Sequence, residues 1–266
     1  VLRIRPALDL ASLQLDWLPA LDTARRLGVD TVEIDLRRQL PWRELGQTAI
    51  REILKQLSDR KVRVSVVRFR TKKGYDEAQD LDRRIEGTKT AMGIAAALRA
   101  SFLTNRLGRC PAPPQTAASE AQNQNPLIVE ALRDLIRHAE RQGVLLTAEL
   151  GEDSGSDLQT LLNQLPDGGL GVDLDPGLLT VFGHSPRHAV QTVGRAVMVV
   201  HATDATLGGG AANRQIVPLG SGDVDYSEIL GALEQTGYSG HFFVRAAGKS
   251  RPIADVQQAV EYLRRI

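Results

Sequence analysis

Val197-Met-Val-Val-His-Ala-Thr-Asp204 sets four apolar residues, Val197 to Val200, directly ahead of His201 and Asp204. Such a run reads as a strand buried on both faces, with polar residues starting where the strand ends. In parallel α/β folds, chemistry sits at that carboxyl-terminal edge. Two earlier runs finish the same way: Val144 to Ala148 leads into Glu149, and Leu170 to Leu174 leads into Asp175. Two carboxylates and an imidazole, each delivered by a strand end, are ligand types that hold a divalent cation.

Working outward, the same alternation covers the chain. Strands are expected over 3–8, 29–35, 62–67, 100–104, 144–150, 170–175, 197–200 and 241–244. Between them lie helical patterns: from Asp16 and Pro19 to Leu27-Gly28, 45–60, 80–98, 126–142, 156–165 with Ser156 as N-cap, 186–193, 226–236 and 253–266. Eight strand-then-helix units in a chain close to the ~250 residues typical of a (β/α)8 barrel predict a single TIM-barrel domain over 1–266. A doubly wound open sheet is the alternative. It would carry a glycine-rich phosphate fingerprint after its first strand, and Leu8 to Trp17 contains no glycine. The segment 108–125, rich in Pro, Ala, Gln and Asn, reads as a long loop on the active face, either a lid or a mobile stretch.

Composition limits the function classes. Lys and Arg number 33 against 32 Asp and Glu, so a dedicated nucleic-acid binder is not expected. The lone cysteine, Cys110, allows no intramolecular disulfide, which points to a reducing, cytoplasmic setting. No apolar run approaches the ~18 residues of a membrane span, and Val1 to Pro6 lacks a signal-peptide core. Barrels of this kind often pair, which leaves a homodimer open.

If the barrel closes, Glu33, Arg68, Arg106, Glu149, Asp175, His201 and Arg245 share one rim. Strand ends are also where solvated polar residues gather, so each has a bland reading beside the functional one. For His201, Asp204 nearby and two candidate carboxylates favour a ligand or catalytic role. Asp204 either orients His201 or caps the following turn. His138, His184, His188 and His241 read as surface residues, and Lys72-Lys73 as a solvated charge run.

Five motifs in order carry a resemblance: Glu149, Leu174-Asp-Pro176, Val200-His-Ala-Thr-Asp204, the turn Pro218 to Asp225, and Gly237-Tyr-Ser-Gly240. With Gly28 to Asp35, they resemble the xylose-isomerase-like sugar phosphate isomerase/epimerase superfamily. The resemblance implies a TIM barrel acting on a small carbohydrate, with a divalent cation, manganese, magnesium or zinc, held by Glu, Asp, His and a second Glu. The first three carry over to Glu149, Asp175 and His201. The fourth does not: a gapless count from Tyr238 puts Arg245 at that position, followed by Ala246 and Ala247.

In the family the two glutamates flank the substrate carbon and exchange its proton through an enediolate stabilised by the cation. A guanidinium at the ligand position would repel a cation ~4 Å away by several kcal/mol at intermediate dielectric, and would pair with Glu149 or Asp175 instead. Two expectations result. One is a sugar isomerase or epimerase with Glu149 and His201 catalytic, and with Arg245, Arg214, Asp204, Arg68 and Glu33 contacting substrate. The other is a metal-independent or catalytically silent barrel that binds a sugar or sugar acid. An apurinic endonuclease of the same superfamily needs a histidine-rich metal cluster, which 5 scattered histidines do not provide.

Overall fold

Strand and helix alternate from the first turn of the polypeptide, and the strands close into a ring. The computed structural model describes residues 2–111, 126–208, 213–248 and 250–266. Most of the expected loop 108–125 lies outside the described residues, as do Gly209 and Gly210. The strands are β1 (Pro6–Asp9), β2 (Thr31–Asp35), β3 (Arg63–Arg68), β4 (Phe102–Asn105), β5 (Leu145–Leu150), β6 (Leu170–Leu174), β7 (Val197–Ala202), β8 (Asp204–Thr206), β9 (Gln215–Val217) and β10 (Phe242–Val244). All but β8 and β9 form a closed parallel barrel in chain order, sealed where β1 pairs with β10 at Leu8 and Val244. This is a single (β/α)8 TIM barrel.

The described helices are α1 (Trp17–Arg26), α2 (Leu36–Gln39), α3 (Gln47–Asp59), α4 (Leu81–Ala97), α5 (Pro126–Gln142), α6 (Gly155–Leu162), α7 (Pro176–Phe182), α8 (Pro186–Val193), α9 (Tyr226–Gln235) and α10 (Pro252–Arg265). They form the outer layer because each has an apolar stripe to bury. In α5, Ile128, Leu132, Leu135, Ile136 and Ala139 follow helical spacing and are buried, and the helix packs beside α4. Cutting Leu132 or Leu135, both fully buried, to alanine would cost about 2–5 kcal/mol.

The structure differs from the sequence expectation in several places: α2 has no counterpart in it, the seventh strand runs on to Ala202 and so takes in His201, and four further differences each have a local cause. The first strand starts at Pro6 rather than residue 3, a position where the missing N–H of proline costs no ladder bond. Ser154, not Ser156, caps α6: its side chain accepts from the Asp157 N–H, and the Asp157 carboxylate accepts from the Ser154 N–H, closing a capping box. The extra helix α7 comes directly after β6, because Asp175 caps it from the Leu178 N–H and Pro176 supplies its first residue. The excursion after β7 is not all loop: β8 and β9 form an antiparallel pair, Asp204 opposite Val217 and Thr206 opposite Gln215.

Candidate functional site

Side chains two apart on a strand share a face, so the barrel interior can be followed in layers. The lower layer is apolar: Ala7, Val66, Val199 and Phe243 form one buried cluster, contributed by β1, β3, β7 and β10. Two residues further along, those same strands carry Asp9, Arg68, His201 and Arg245. An apolar floor thus lies under a charged storey. A third step reaches the rim, where Arg70, Asp175 and Thr203 stand.

The charged storey is held together across the ring. His201 Nε2 lies 2.6 Å from Glu33 Oε2, and its Nδ1 lies 2.7 Å from Asp173 Oδ1. Arg68 donates to Asp9 Oδ2 at 2.8 Å and meets Glu33 Oε1 at 3.1 Å. These groups have almost no exposure, with Glu33 at 0%, Asp173 at 1% and His201 at 2%. Burial alone would lift the Glu33 carboxyl, but Arg68 and His201 overcome it and hold Glu33 down at about 2. For His201, burial and Arg245 favour the neutral ring, yet Asp173 and Glu33 win and raise it to about 9. Burial also raises Asp173, and neither of its oxygens makes an aligned hydrogen bond. The result is an imidazolium between two carboxylates.

Above this storey a cavity of about 230 Å³ opens at the carboxyl ends of the strands, lined by Arg70, Arg106, Glu149, Asp175, Thr203 and Arg245, with Leu178 and Ile216 as apolar walls. Arg70 Nε reaches both Glu149 oxygens, at 2.7 and 2.8 Å. Arg245 Nη1 donates to Asp175 Oδ2 at 3.1 Å, while Asp175 Oδ1 accepts from the Thr203 hydroxyl and from the Leu178 N–H at 2.9 Å. Arg106 pairs with Glu152 at the edge.

Of the residues singled out from sequence, Glu149, Asp175 and Arg245 meet at this cavity. His201 and Glu33 lie together one layer deeper, with Arg68 beside them. Asp204 faces the other way: its carboxylate accepts from the N–H groups of Ala205, Gly220, Gly222 and Val224 at 2.9–3.1 Å, tying down the turn 218–225. Arg214 is not among the cavity residues; its guanidinium lies against Gly183 at the end of α7. His241 is half-buried at the amino-terminal side of β10, with Nε2 3.1 Å from Arg63 Nη2. Burial and the neighbouring Arg5 and Arg63 push it down to about 4.

Two residues of the charged storey carry no signal in the sequence, and a third, Arg70, carries an ambiguous one. Asp173 and Asp9 sit inside apolar runs and carry no motif of their own, although Asp173 shares a face with Asp175 two residues on. Arg70, at the close of the third strand, reads either as a surface arginine or as a binder of a phosphate or carboxylate, and nothing in its neighbours announces the partner on β5.

Glu33, Asp173 and His201 each place one ligand atom within 4.8 Å of the others, a set that could hold a metal ion. The mouth set expected from the family offers a cation no common point as arranged. Glu149 is clasped by Arg70, Asp175 faces Arg245, and both ring nitrogens of His201 are taken below.

A family model described as a xylose isomerase-like TIM barrel matches residues 21–266. The chain belongs to the xylose isomerase-like TIM barrel family. No curated protein matches its sequence. Among solved structures it is similar to a xylose isomerase domain protein from Planctomyces limnophilus, 20% identical over 99% of this chain and 94% of that one, TM-score 0.78. It is also similar to a D-psicose 3-epimerase with D-tagatose from Clostridium cellulolyticum H10, 17% identical over 99% of both chains, TM-score 0.77. A third is a xylose isomerase-like TIM barrel protein from Mycobacterium smegmatis in complex with magnesium, 18% identical over 99% of this chain and 95% of that one, TM-score 0.75. At these identities the likeness is one of fold, and the site must speak for the chemistry.

Proposed function

We propose that the mouth cavity binds a keto-sugar or related polyol and moves a proton next to its carbonyl, with Glu149 as the base. The observation that carries this reading is the meeting of Glu149, Asp175, Thr203 and Arg245, from four different strand ends, on one small cavity. Its volume of about 230 Å³ lies below the ~300 Å³ at which ligand pockets usually begin, which restricts it to a small guest, and its walls carry both donors and acceptors as hydroxyl groups require.

Glu149 removes the proton from the carbon beside the carbonyl. The electron pair of that C–H bond becomes the double bond of an enediolate, and the carbonyl oxygen takes up negative charge. Arg245, with Arg70 once it leaves Glu149, supplies N–H donors and positive charge to that oxygen. Asp175, fixed by Thr203 and the Leu178 N–H, receives a substrate hydroxyl. Returning the proton from Glu149 to the former carbonyl carbon, while the proton of the adjacent hydroxyl passes by way of Asp175 to the former carbonyl oxygen, shifts the carbonyl along the chain. Inverting the original carbon would need a second base on the opposite face, and the position at which the resemblance implies that second glutamate is occupied here by Arg245. Isomerisation is therefore favoured over epimerisation. A divalent cation does not fit the mouth as arranged, so no step is assigned to one.

A second reading, recognition of a sugar or sugar acid without turnover, is favoured by the Arg70 clasp, which occupies both oxygens of the base. Incubation with a panel of ketoses in heavy water, read by NMR at the carbon beside the carbonyl, decides between them. Deuterium incorporation that Glu149→Gln reduces by about 10²–10⁴-fold supports catalysis. Saturable binding without incorporation supports recognition, and the absence of both overturns each.

A further inference from the structure

A second cavity, of about 640 Å³, lies beside the β2 and β3 ends of the barrel and shares no lining residue with the one that holds Glu149. Six of its lining side chains are cationic, Arg37, Arg43, Lys72, Lys73, Arg83 and Arg84, against two carboxylates, Asp80 and Glu86. Two of the six are satisfied internally: Lys73 pairs with Glu77 at 2.7 Å, and Arg84 donates to the carbonyls of Glu77 and Gln79. Glu86 is likewise taken by Lys89 at 2.9 Å. Among the described residues, Arg37, Arg43, Lys72 and Arg83 have no ion-pair partner.

Two of those four exposed cations, Arg37 and Arg43, are held in place by aromatic rings. The guanidinium of Arg37 stacks 4.0 Å from the Phe69 ring and 5.3 Å from Trp42, and that of Arg43 lies 4.9 Å from the same indole. Trp42 is fixed edge-on to Phe69 at 5.0 Å, so the aromatic pair holds two like charges side by side. Burial, and after it the nearby Arg43, lower Arg37 from its ordinary value. The amino terminus of the 17-residue helix α4 opens into the same cavity, and Asp80, at φ 55°, makes no cap hydrogen bond to it. Its dipole adds positive potential at that point.

We propose that this cavity is a binding site for a small molecule carrying a diphosphate, with Arg43 and Arg83 as its principal contacts and Lys72 and Arg37 completing the positive wall. With the Asp80 carboxylate set against the four unpaired cations, a positive excess remains that a group of two or more negative charges matches better than a single carboxylate does, and planar guanidinium groups engage phosphoryl oxygens in pairs. A nucleic acid is disfavoured because the net charge is only +1. The site stands whether or not the mouth cavity catalyses the reaction proposed above.

Trp42 is the natural reporter, since the only other tryptophan, Trp17, is bonded to Gln56 and can be changed to phenylalanine. The intact Trp17→Phe protein is titrated with inorganic pyrophosphate, with adenosine diphosphate and with a short DNA duplex, at constant ionic strength set by chloride. The expected result is a saturable fluorescence change with pyrophosphate or the nucleotide. It should weaken at least tenfold in Arg43→Ala and in Arg83→Ala and stay unchanged in Lys55→Ala, which removes an exposed charge from α3. Tighter binding of the nucleotide than of pyrophosphate assigns the organic part to the cavity as well, and equal binding assigns the diphosphate alone. No saturable change with either small ligand, equal weakening in Lys55→Ala, or DNA binding more tightly than both, overturns the proposal. Circular dichroism of each variant confirms that the barrel is intact.

Discussion

His201 stands between two carboxylates with no exposed atom to spare, and its protonation ties the fold to pH. Its folded value of about 9 lies above the ordinary 6.5. It therefore contributes stability that is fully present below pH ~6.5 and is lost as pH rises toward 9. Glu33, held at about 2 against an ordinary 4.5, contributes stability present above pH ~4.5 and lost as pH falls toward 2. Asp173, raised by burial, acts in the opposite sense to Glu33 on the acid side. Urea midpoints should fall between pH 6.5 and 9 in the wild type, and that slope should flatten in His201→Gln; an unchanged slope would place the charge elsewhere. Arg245 gives the complementary test. Arg245→Glu removes the cation facing Asp175 and adds a carboxylate at the mouth, so calorimetric titration with Mn²⁺ should show stoichiometric binding at least tenfold tighter than in the wild type. At this scale the sequence spoke through strand ends. Glu149, Asp175 and Arg245 were legible because each comes after an apolar run, whereas Asp173 was hidden inside one, flanked by Val172 and Leu174.

Among the elements, the turn 218–225 depends on a single carboxylate. Asp204 satisfies four backbone N–H groups, three of them from this turn, so Asp204→Ala would leave donors unpaired at about 1–3 kcal/mol and free Gly220, Gly222 and Val224 for faster amide exchange. Asp204→Asn, which keeps one good acceptor, should exchange at an intermediate rate. Ser154→Ala opens the capping box of α6 and should lower stability by about 1 kcal/mol in denaturant titration. Helices with long apolar stripes, such as α5, could be read directly from spacing. The seven-residue α7 could not, since Leu174-Asp-Pro176 looks like a turn until Asp175 is seen capping a helix that begins at Pro176. The β8 and β9 pair was obscured in the same way, because three-residue strands beside a glycine-rich insert give almost no alternation to detect.

For the molecule as a whole, closure of the ring converts separate strand ends into one surface. Residues as distant in sequence as Asp9 and Arg245 come within 3.8 Å. That convergence was predictable from the count of strand and helix units. Which partner each charge chooses was not, because partner choice depends on registers such as Glu149 beside Asp173 and on layer depth, and neither is written in a local pattern. Depth explains why His201 belongs to the interior and Thr203, two residues later, to the mouth.

The clasp between Arg70 and Glu149 has a last consequence. Arg70 is 49% exposed while Glu149 is 14% exposed, so the arginine is the arm that can swing. A neutral guest would draw that arm off Glu149 only weakly through its hydroxyls, whereas one bearing its own carboxylate or phosphate would compete for it and unlatch the base more readily as it enters. Sugar acids should therefore outrun matched uncharged sugars in the exchange assay, and Arg70→Gln should erase the difference by leaving the latch permanently open.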